Sequence, residues 1–331
     1  MENVDPTVAE LGEVEALKKA VGVFRKVPTT LVGSGDDSAV VAVSDGKFVV
    51  TTDTMVEFHD FRQDFSSAFD LGYKAVASNV ADVAAMGARP IALVVAMVIP
   101  PTTKVSWLVD FAKGLQAGCD ELAPDAEIVG GDLASGAQIL ISVAAHGHLE
   151  GREPLLRSGA QVGDVVALAG TLGRAACGLD LLFHEDKSLA ASYDEWVAIQ
   201  LRPNPPIQAG IAAGESATAM LDVSDSLSID SARIAKASNV SIKLDRSALE
   251  GYAAVLELAQ QSMTARDGLL RSAMDWVLHG GEDHSLLATF PSGSDLPKGF
   301  KKIGIVVERS EHPVYLGDEP LQAKGWDSIR G

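Results

Sequence analysis

Five short segments of this 331-residue chain set carboxylates beside glycines, hydroxyls or one another. They are Gly35-Asp36-Asp37, Thr51-Thr52-Asp53, Asn79-Val80-Ala81-Asp82, Gly130-Gly131-Asp132 and Asp222-Val223-Ser224-Asp225. None is diagnostic alone. Together they supply the oxygen donors that hard cations take, and Mg²⁺ is usually held by a few carboxylates plus the phosphates of a substrate. The chemistry such a set serves is phosphoryl transfer, where catalysis is mostly positioning and electrostatic stabilisation.

Each segment also has a plain structural reading. Gly35-Asp36-Asp37 is either a turn opening a strand, since both residue types form turns, or a pair of carboxylates presented at a strand edge. Alternation puts Thr51 and Asp53 on one strand face. An acid ending the apolar run Phe48-Val49-Val50 is either at a solvent edge or a ligand. Asn79 and Asp82, three apart, share a helix face, so Asp82 is a solvated position or a second ligand. Two glycines before Asp132 allow close backbone approach to a phosphate, or simply a bend. In Asp222–Asp225 a strand turns into a helix; Ser224 or Asp225 would cap it, and the same helix start attracts anions. His279-Gly280-Gly281-Glu282-Asp283-His284 is a further glycine-rich acidic turn. His146 and His148 share a strand face without a zinc-like spacing.

Several absences narrow the chemistry. The sequence has no Gly-x-x-x-x-Gly-Lys-Ser/Thr loop; Gly170-Thr171-Leu172-Gly173 lacks the lysine. It has no protein-kinase His-Arg-Asp or Asp-Phe-Gly signature. A net charge of −18 and a pI near 4.7 argue against a nucleic-acid or anionic-membrane partner. The two cysteines, Cys119 and Cys177, sit in apolar helical settings and read as buried thiols in a reducing cytoplasm. The acidic start, Met1 to Asp5, lacks a signal peptide's basic and apolar regions. Ile91 to Pro101 is about half a membrane span.

The elements that must position these groups follow from periodicity. The spacing predicts an amphipathic helix over 8–26, strands over 39–43 and 48–52 joined at Ser44-Asp45-Gly46, a helix over 70–86, a strand over 90–99 and a helix over 104–122. A short strand over 127–129 leads into Gly130, and a longer one covers 139–149. Gly151 to Gly163 is the best boundary, giving domains of 1–150 and 151–331. Beyond it, strands are expected over 165–169, 219–223, 240–244, 285–290 and 302–307. A helix ends near Leu182, another starts near Ser226, and 185–204 reads as polar and interrupted. Strands and helices mix without strict alternation, which favours α+β, a mixed rather than doubly wound parallel architecture.

In order and spacing, the segments resemble the thiamine-monophosphate kinase family. The resemblance is carried by Gly35-Asp36-Asp37, Thr52-Asp53-Thr54, Asp70 to Ala75, Asn79 to Asp82, Ala85-Met86-Gly87-Ala88, Gly130-Gly131-Asp132, Arg157-Ser158-Gly159-Ala160, Asp222 to Asp225, Gly280-Gly281-Glu282-Asp283 and Gly325-Trp326-Asp327. It runs from about residue 10 to the C-terminus. It implies a two-domain fold shared with aminoimidazole ribonucleotide synthetase, with the N-terminal domain forming a dimer core near bound ATP and Mg²⁺ and the C-terminal domain completing the cleft. The implied reaction converts ATP and thiamine phosphate to ADP and thiamine diphosphate in a cytoplasmic homodimer.

Carried over by position, Asp36, Thr51, Thr52, Asp53, Asp82, Asp132 and Asp222 would ligate several Mg²⁺ ions, with Asp225 holding a further one. Gly131, Asp132, Arg157 and Ser224 would contact ATP, and Glu282 and Trp326 thiamine phosphate. No general base is assigned, because a phosphate monoester is largely ionised at neutral pH. The family usually has Glu-Gly-x-His-Phe after the Thr-Asp-Thr strand; here Glu57-Phe58-His59-Asp60-Phe61 places Asp60 in the histidine position and His59 one residue early. A one-residue slip reverses the face of a strand side chain, and a bulge restores it. Ser226 replaces a usual Gly, His284-Ser285 a usual Tyr-Glu, and Ser328-Ile329 a usual His-Phe. Competing implications are a sister ATP-dependent enzyme of the same fold (selenophosphate synthetase, aminoimidazole ribonucleotide synthetase or a hydrogenase-maturation dehydratase) and a non-catalytic nucleotide- or metal-binding homologue. The lack of a cysteine before Cys119 counts against selenophosphate synthetase.

Overall fold

A computed structural model of the chain describes residues 5–32, 40–43, 46–263 and 271–326. Gly35-Asp36-Asp37, and with it the expected ligand Asp36, lies outside the described residues, as do Ser44, Asp45, Asp327, Ser328 and Ile329. The chain divides into two compact units, Met1–Val83 with Ala88–Gly151, and Ala84–Gly87 with Arg152–Gly331.

The first unit opens with α1 (Val8–Leu11) and α2 (Glu13–Val21), where a single helix was expected. Gly12 is the cause: its φ of 86° ends one helix and starts the next, a conformation open to a residue without Cβ. β1 (Thr30–Val32) and β2 (Val40–Val41) pair antiparallel. Then come β3 (Phe48–Val56), α3 (Ala68–Ala85), β4 (Arg89–Ile99), α4 (Val105–Leu122), β5 (Glu127–Ser135) and β6 (Leu140–His148). The last four strands form one sheet in the order β3-β6-β4-β5, with only β4 and β5 parallel.

α3 is buried on nearly every side, with Leu71, Val76, Val80 and Val83 fully enclosed. It meets α4 at glycines: a Cβ on Gly72 would stand 2.2 Å from the Phe111 carbonyl oxygen, and one on Gly114 2.0 Å from that of Phe69. It meets the sheet where Val83 fills the space a Cβ on Gly147 would need. The opposite face of the sheet is covered around Ala92 and Val94, where Val41 packs, and is open along β3 among the described residues. Phe48 and Val50 point there at 54% and 62% exposure, beside exposed Thr52, Thr54 and Ala96.

The second unit contains β7 (Val165–Ala169), α5 (Arg174–Phe183), α6 (Lys187–Ser192), α7 (Asp194–Leu201), α8 (Ile207–Ala213), β8 (Ala219–Val223) and α9 (Leu227–Ala237). It continues through β9 (Ser241–Leu244), α10 (Arg246–Ala254), α11 (Glu257–Ser262), α12 (Ala273–His279), β10 (Ser285–Phe290), β11 (Phe300–Val307), β12 (Val314–Leu316) and β13 (Glu319–Pro320). Its sheet runs β13-β12-β9-β11-β7-β10-β8 and is mostly antiparallel. Every residue of β10 is buried, because both faces are covered. Leu168, Ile242, Leu287 and Ile303 belong to one apolar cluster, and Ala167, Leu286, Ala288 and Phe290 to another. Both units mix helix and sheet, as α+β requires. The polar stretch 185–204 forms α6 and α7 rather than an irregular connection. Cys119 and Cys177 are free and buried, and desolvation pushes both thiols up to about 12, far from nucleophilic character.

Candidate functional site

In the first unit, β3 and α3 bring together two of the expected segments. Thr51 and Asp53 share the helix-facing side of β3. The Thr51 hydroxyl donates to Asp82 Oδ2 at 2.8 Å, and the Asp53 backbone N–H donates to Asn79 Oδ1 at 3.2 Å. Asn79 is itself fixed, its Nδ2 donating to the Ala75 carbonyl. The shared helix face of Asn79 and Asp82 therefore looks onto the strand, and Asp82 is a half-buried, hydrogen-bonded carboxylate rather than a solvated one. Thr52 points the other way, and its hydroxyl donates to the Val143 carbonyl.

Gly130-Gly131-Asp132 is not a bend after a short strand. It lies inside β5, which continues to Ser135. Gly131 is required by the sheet: a Cβ there would stand 2.1 Å from the Val95 carbonyl oxygen. Gly130 has open space around it. Register runs Asp53–Val143–Val95–Gly131 in one row and Thr54–Ser142–Ala96–Asp132 in the next. Asp53 thus points to the helix side of one edge strand and Asp132 to the opposite side of the other. Three strand spacings separate them, roughly 14 Å along the sheet. A single sheet does not bring these two carboxylates to one ion.

In the second unit three loops converge. Asp222 is buried at the end of β8, and Ser224-Asp225 form the turn into α9. The helix is capped by Ser226, whose hydroxyl accepts the Ile229 N–H, one or two residues later than expected. The Glu282 N–H donates to the Ser224 carbonyl at 2.8 Å, and the Trp326 N–H to the Asp225 carbonyl at 3.2 Å. Glycines permit this crowding: a Cβ on Gly281 would stand 2.4 Å from the Ser224 carbonyl oxygen, and one on Gly325 2.3 Å from that of Asp225. Glu282 and His284 both hold left-handed backbones, φ 65° and 49°, which non-glycine residues seldom adopt.

The carboxylates of this unit have different partners. Arg233 bridges Asp225 and Asp230, so Asp225 already faces a protein cation. Asp230 also accepts the N–H groups of Asp225 and Ser226, and burial pushes it up to about 6. Asp283 accepts the Thr171 hydroxyl at 2.7 Å and faces the amides that open α5; burial nonetheless raises it to about 6. Arg157 is exposed, and its neighbour Leu156 accepts the Met220 N–H near the start of β8. Roughly 13 Å of chain separates that point from Ser224, so the two expected ATP contacts stand at opposite ends of the strand. Among the described residues no three His, Cys, Asp or Glu side chains form a metal cage. The donors are carboxylates and hydroxyls in pairs, which fits an ion that arrives with phosphates and keeps waters.

A family model described as AIR synthase related protein, N-terminal domain, matches residues 35–149. The thiamine-monophosphate kinase of Mycobacterium tuberculosis is 40% identical over 98% of this chain and 93% of its own length. The chain belongs to the thiamine-monophosphate kinase family. The crystal structure of the family's enzyme from Stenotrophomonas maltophilia K279a matches at TM-score 0.74 and 31% identity, covering 93% of this chain and 96% of that one. AaThiL complexed with AMPPCP and TMP matches at 0.69 and 27%, covering 96% of each.

Against the thiamine-monophosphate kinase pattern, the departures acquire physical reasons. Residues 57–61 form a turn beyond β3, not a continuing strand, so strand alternation does not govern His59 and Asp60. Phe58 stands where the family usually has Gly and adopts φ 69°, and the residue is 74% exposed. Asp60 Oδ2 accepts the Val56 N–H and its Oδ1 lies 3.0 Å from His59 Nδ1. Ser226 donates to the Lys324 carbonyl at 2.6 Å, tying the segment before Trp326 to α9, a bond that Gly cannot make. His284 Nδ1 lies 3.2 Å from Asp222 Oδ2, while the Ser285 hydroxyl closes on the backbone of Thr171. Sequence reasoning missed Gln200, Arg233 and Asp230 altogether.

Proposed function

We infer that this chain transfers the γ-phosphate of ATP directly to the phosphate of thiamine phosphate, releasing ADP and thiamine diphosphate. The observation that carries the reading is 40% identity with a thiamine-monophosphate kinase over 98% of this chain. A substrate phosphate oxygen attacks the γ-phosphorus in line as the bond to the β,γ-bridging oxygen breaks. The attacking oxygen is already ionised near neutral pH, so the protein's task is orientation and charge.

In this reading Asp36, Thr51, Thr52, Asp53, Asp82, Asp132 and Asp222 hold Mg²⁺, whose charge offsets the phosphates when it is bound. Asp225 would take a further ion only in exchange for Arg233. Gly131, Asp132, Arg157 and Ser224 serve ATP. Glu282 and Trp326 serve the thiamine side, Trp326 by stacking on a flat ring. His59 and Asp60 are engaged with each other in their own turn, and either is the group offered to substrate. In this reading 1–150 is the ATP- and Mg²⁺-binding and dimerisation domain, and 151–331 completes the cleft by adding Arg157, Asp222, Ser224, Asp225, Glu282 and Trp326.

The exposed apolar residues Phe48 and Val50 on the β3-β6-β4-β5 sheet support a homodimer, since an exposed apolar sheet face is an association surface. The placement of Asp53 and Asp132 on opposite edges and faces also favours a second copy. A cytoplasmic enzyme follows from its ATP requirement and free thiols; no helix among the described residues is long and apolar enough to cross a membrane.

Phosphorus NMR of the purified chain with ATP, Mg²⁺ and thiamine phosphate tests the reading. Thiamine diphosphate and ADP signals rising together are expected. Bound but intact ATP would overturn it in favour of a sister substrate or a non-catalytic role.

A further inference from the structure

We propose that Arg233 is a tethered counter-cation: anchored on Asp230, it holds Asp225 until a divalent cation takes that carboxylate, and so weakens ion binding there. The proposal rests on the reading of Asp225 as an ion ligand and adds its competitor. One guanidinium serves both acids. Its Nη1 donates to Asp230 Oδ1 at 2.6 Å and its Nη2 to Asp225 Oδ2. A guanidinium is permanently charged and planar, so it spans two carboxylates through separate N–H groups and cannot release them by losing a proton.

The two contacts differ in kind. The Asp230 side chain is 1% exposed, and both its oxygens are in use, because Oδ2 accepts the N–H groups of Asp225 and Ser226. Asp230 lies three residues before Arg233 on one face of α9. Taking the guanidinium from it would leave a buried charge without a cation, which is strongly destabilising. Asp225 stands in the turn before the helix, its side chain 22% exposed and bound to Arg233 through Oδ2 alone. The Arg233 side chain is itself 38% exposed, so an entering ion reaches this contact, and a partly exposed ion pair is held weakly. Of the two carboxylates, Asp225 is the one surrendered. Its backbone is fixed without Arg233: its N–H donates to Asp230, and its carbonyl accepts the Trp326 N–H at 3.2 Å. Exchange of guanidinium for ion therefore needs a new arginine rotamer and no movement of the turn. Arg233 stays tethered beside the incoming ion, and the repulsion between the two cations lowers the ion's affinity.

The test is direct titration of the full chain with Mn²⁺, without nucleotide, read by calorimetry and by the electron paramagnetic resonance of free Mn²⁺. The variants are Arg233→Gln and the pair Asp230→Asn/Arg233→Gln, each also made with Asp225→Asn. The pair removes the buried charge together with its partner, so it leaves net charge unchanged and keeps the test open should Arg233→Gln fail to fold. Loss of the guanidinium is expected to tighten one Mn²⁺ about fivefold, the upper range for a partly exposed ion pair withdrawn from competition. Adding Asp225→Asn abolishes that gain, because the competition is for this carboxylate. A gain that survives Asp225→Asn is a general effect of charge on neighbouring sites and overturns the proposal. So does unchanged Mn²⁺ binding in the Arg233 variants when Asp225→Asn alone still removes an ion from the parent. If Asp225→Asn alters Mn²⁺ binding in neither the parent nor the Arg233 variants, the reading of Asp225 as a ligand falls, and the role of Arg233 with it.

Discussion

Gly130 and Gly131 are neighbours with different reasons to be glycine. Gly131 has no room for a Cβ beside the Val95 carbonyl, whereas Gly130 has nothing within 4 Å. Gly131→Ala must therefore push β5 away from β4, and a loss of about 2 kcal/mol or more in urea unfolding is expected, as for other overpacking changes. Gly130→Ala should stay within roughly 0.5 kcal/mol of the parent. If Gly130→Ala nonetheless abolishes turnover, the space beside it is a ligand's. Asp132 next door is exposed and makes no side-chain hydrogen bond or ion pair among the described residues, so Asp132→Asn should keep native circular dichroism while losing Mg²⁺-dependent turnover. Near-normal activity in that variant would remove Asp132 from the ligand set. Residue types made these positions visible in the sequence, because glycines and acids stand out in apolar surroundings. Their partners were not visible. Gln200 and Glu282 are 82 positions apart, and nothing local to either residue predicts the pairing.

At the scale of elements, long periodic segments were legible and short ones were not. α3, α4, β4 and β6 follow from an apolar pattern sustained over many residues. β5 was expected to stop at Val129 because two glycines read as a turn, yet parallel pairing with β4 carries the strand through them. α6 and α7 hide in a polar stretch whose few apolar residues, Trp196 among them, pack against α5. The Asp283–α5 contact makes a pH prediction. Burial raises Asp283 from 3.8 to about 6, with the Thr171 hydroxyl and the α5 amides pulling the other way. The folded state then binds the proton more tightly than the unfolded state, so stability falls as pH rises from about 4 to about 6 and stays lowered above that. The full span is on the order of 3 kcal/mol. Urea midpoints of the parent and Asp283→Asn across pH 4 to 7 should show the parent's relative advantage shrinking through that window. A pH-independent difference would mean the carboxylate stays ionised throughout.

For the whole molecule, the proposed homodimer makes the sheet face bearing Phe48 and Val50 the surface to test. Val50→Glu places a charge on that apolar area, and sedimentation equilibrium should then report a monomer with native circular dichroism; an unchanged mass would place the association surface elsewhere. The place of Asp132 on that face depends on one irregularity. Val129 has no partner in β4: Leu93 pairs with Ile128, and Val94 already pairs with Gly130. Because side chains alternate along a strand, everything after this extra residue is turned over relative to an unbroken count. Pair the same residues with β4 in an unbroken count, and Asp132 would turn inward beneath the sheet while apolar Leu133 came out in its place. No residue would have been substituted. Register is therefore inherited information here: insertions between Val129 and Asp132 should be far rarer among functional descendants of this chain than the tolerance of the residues themselves would suggest.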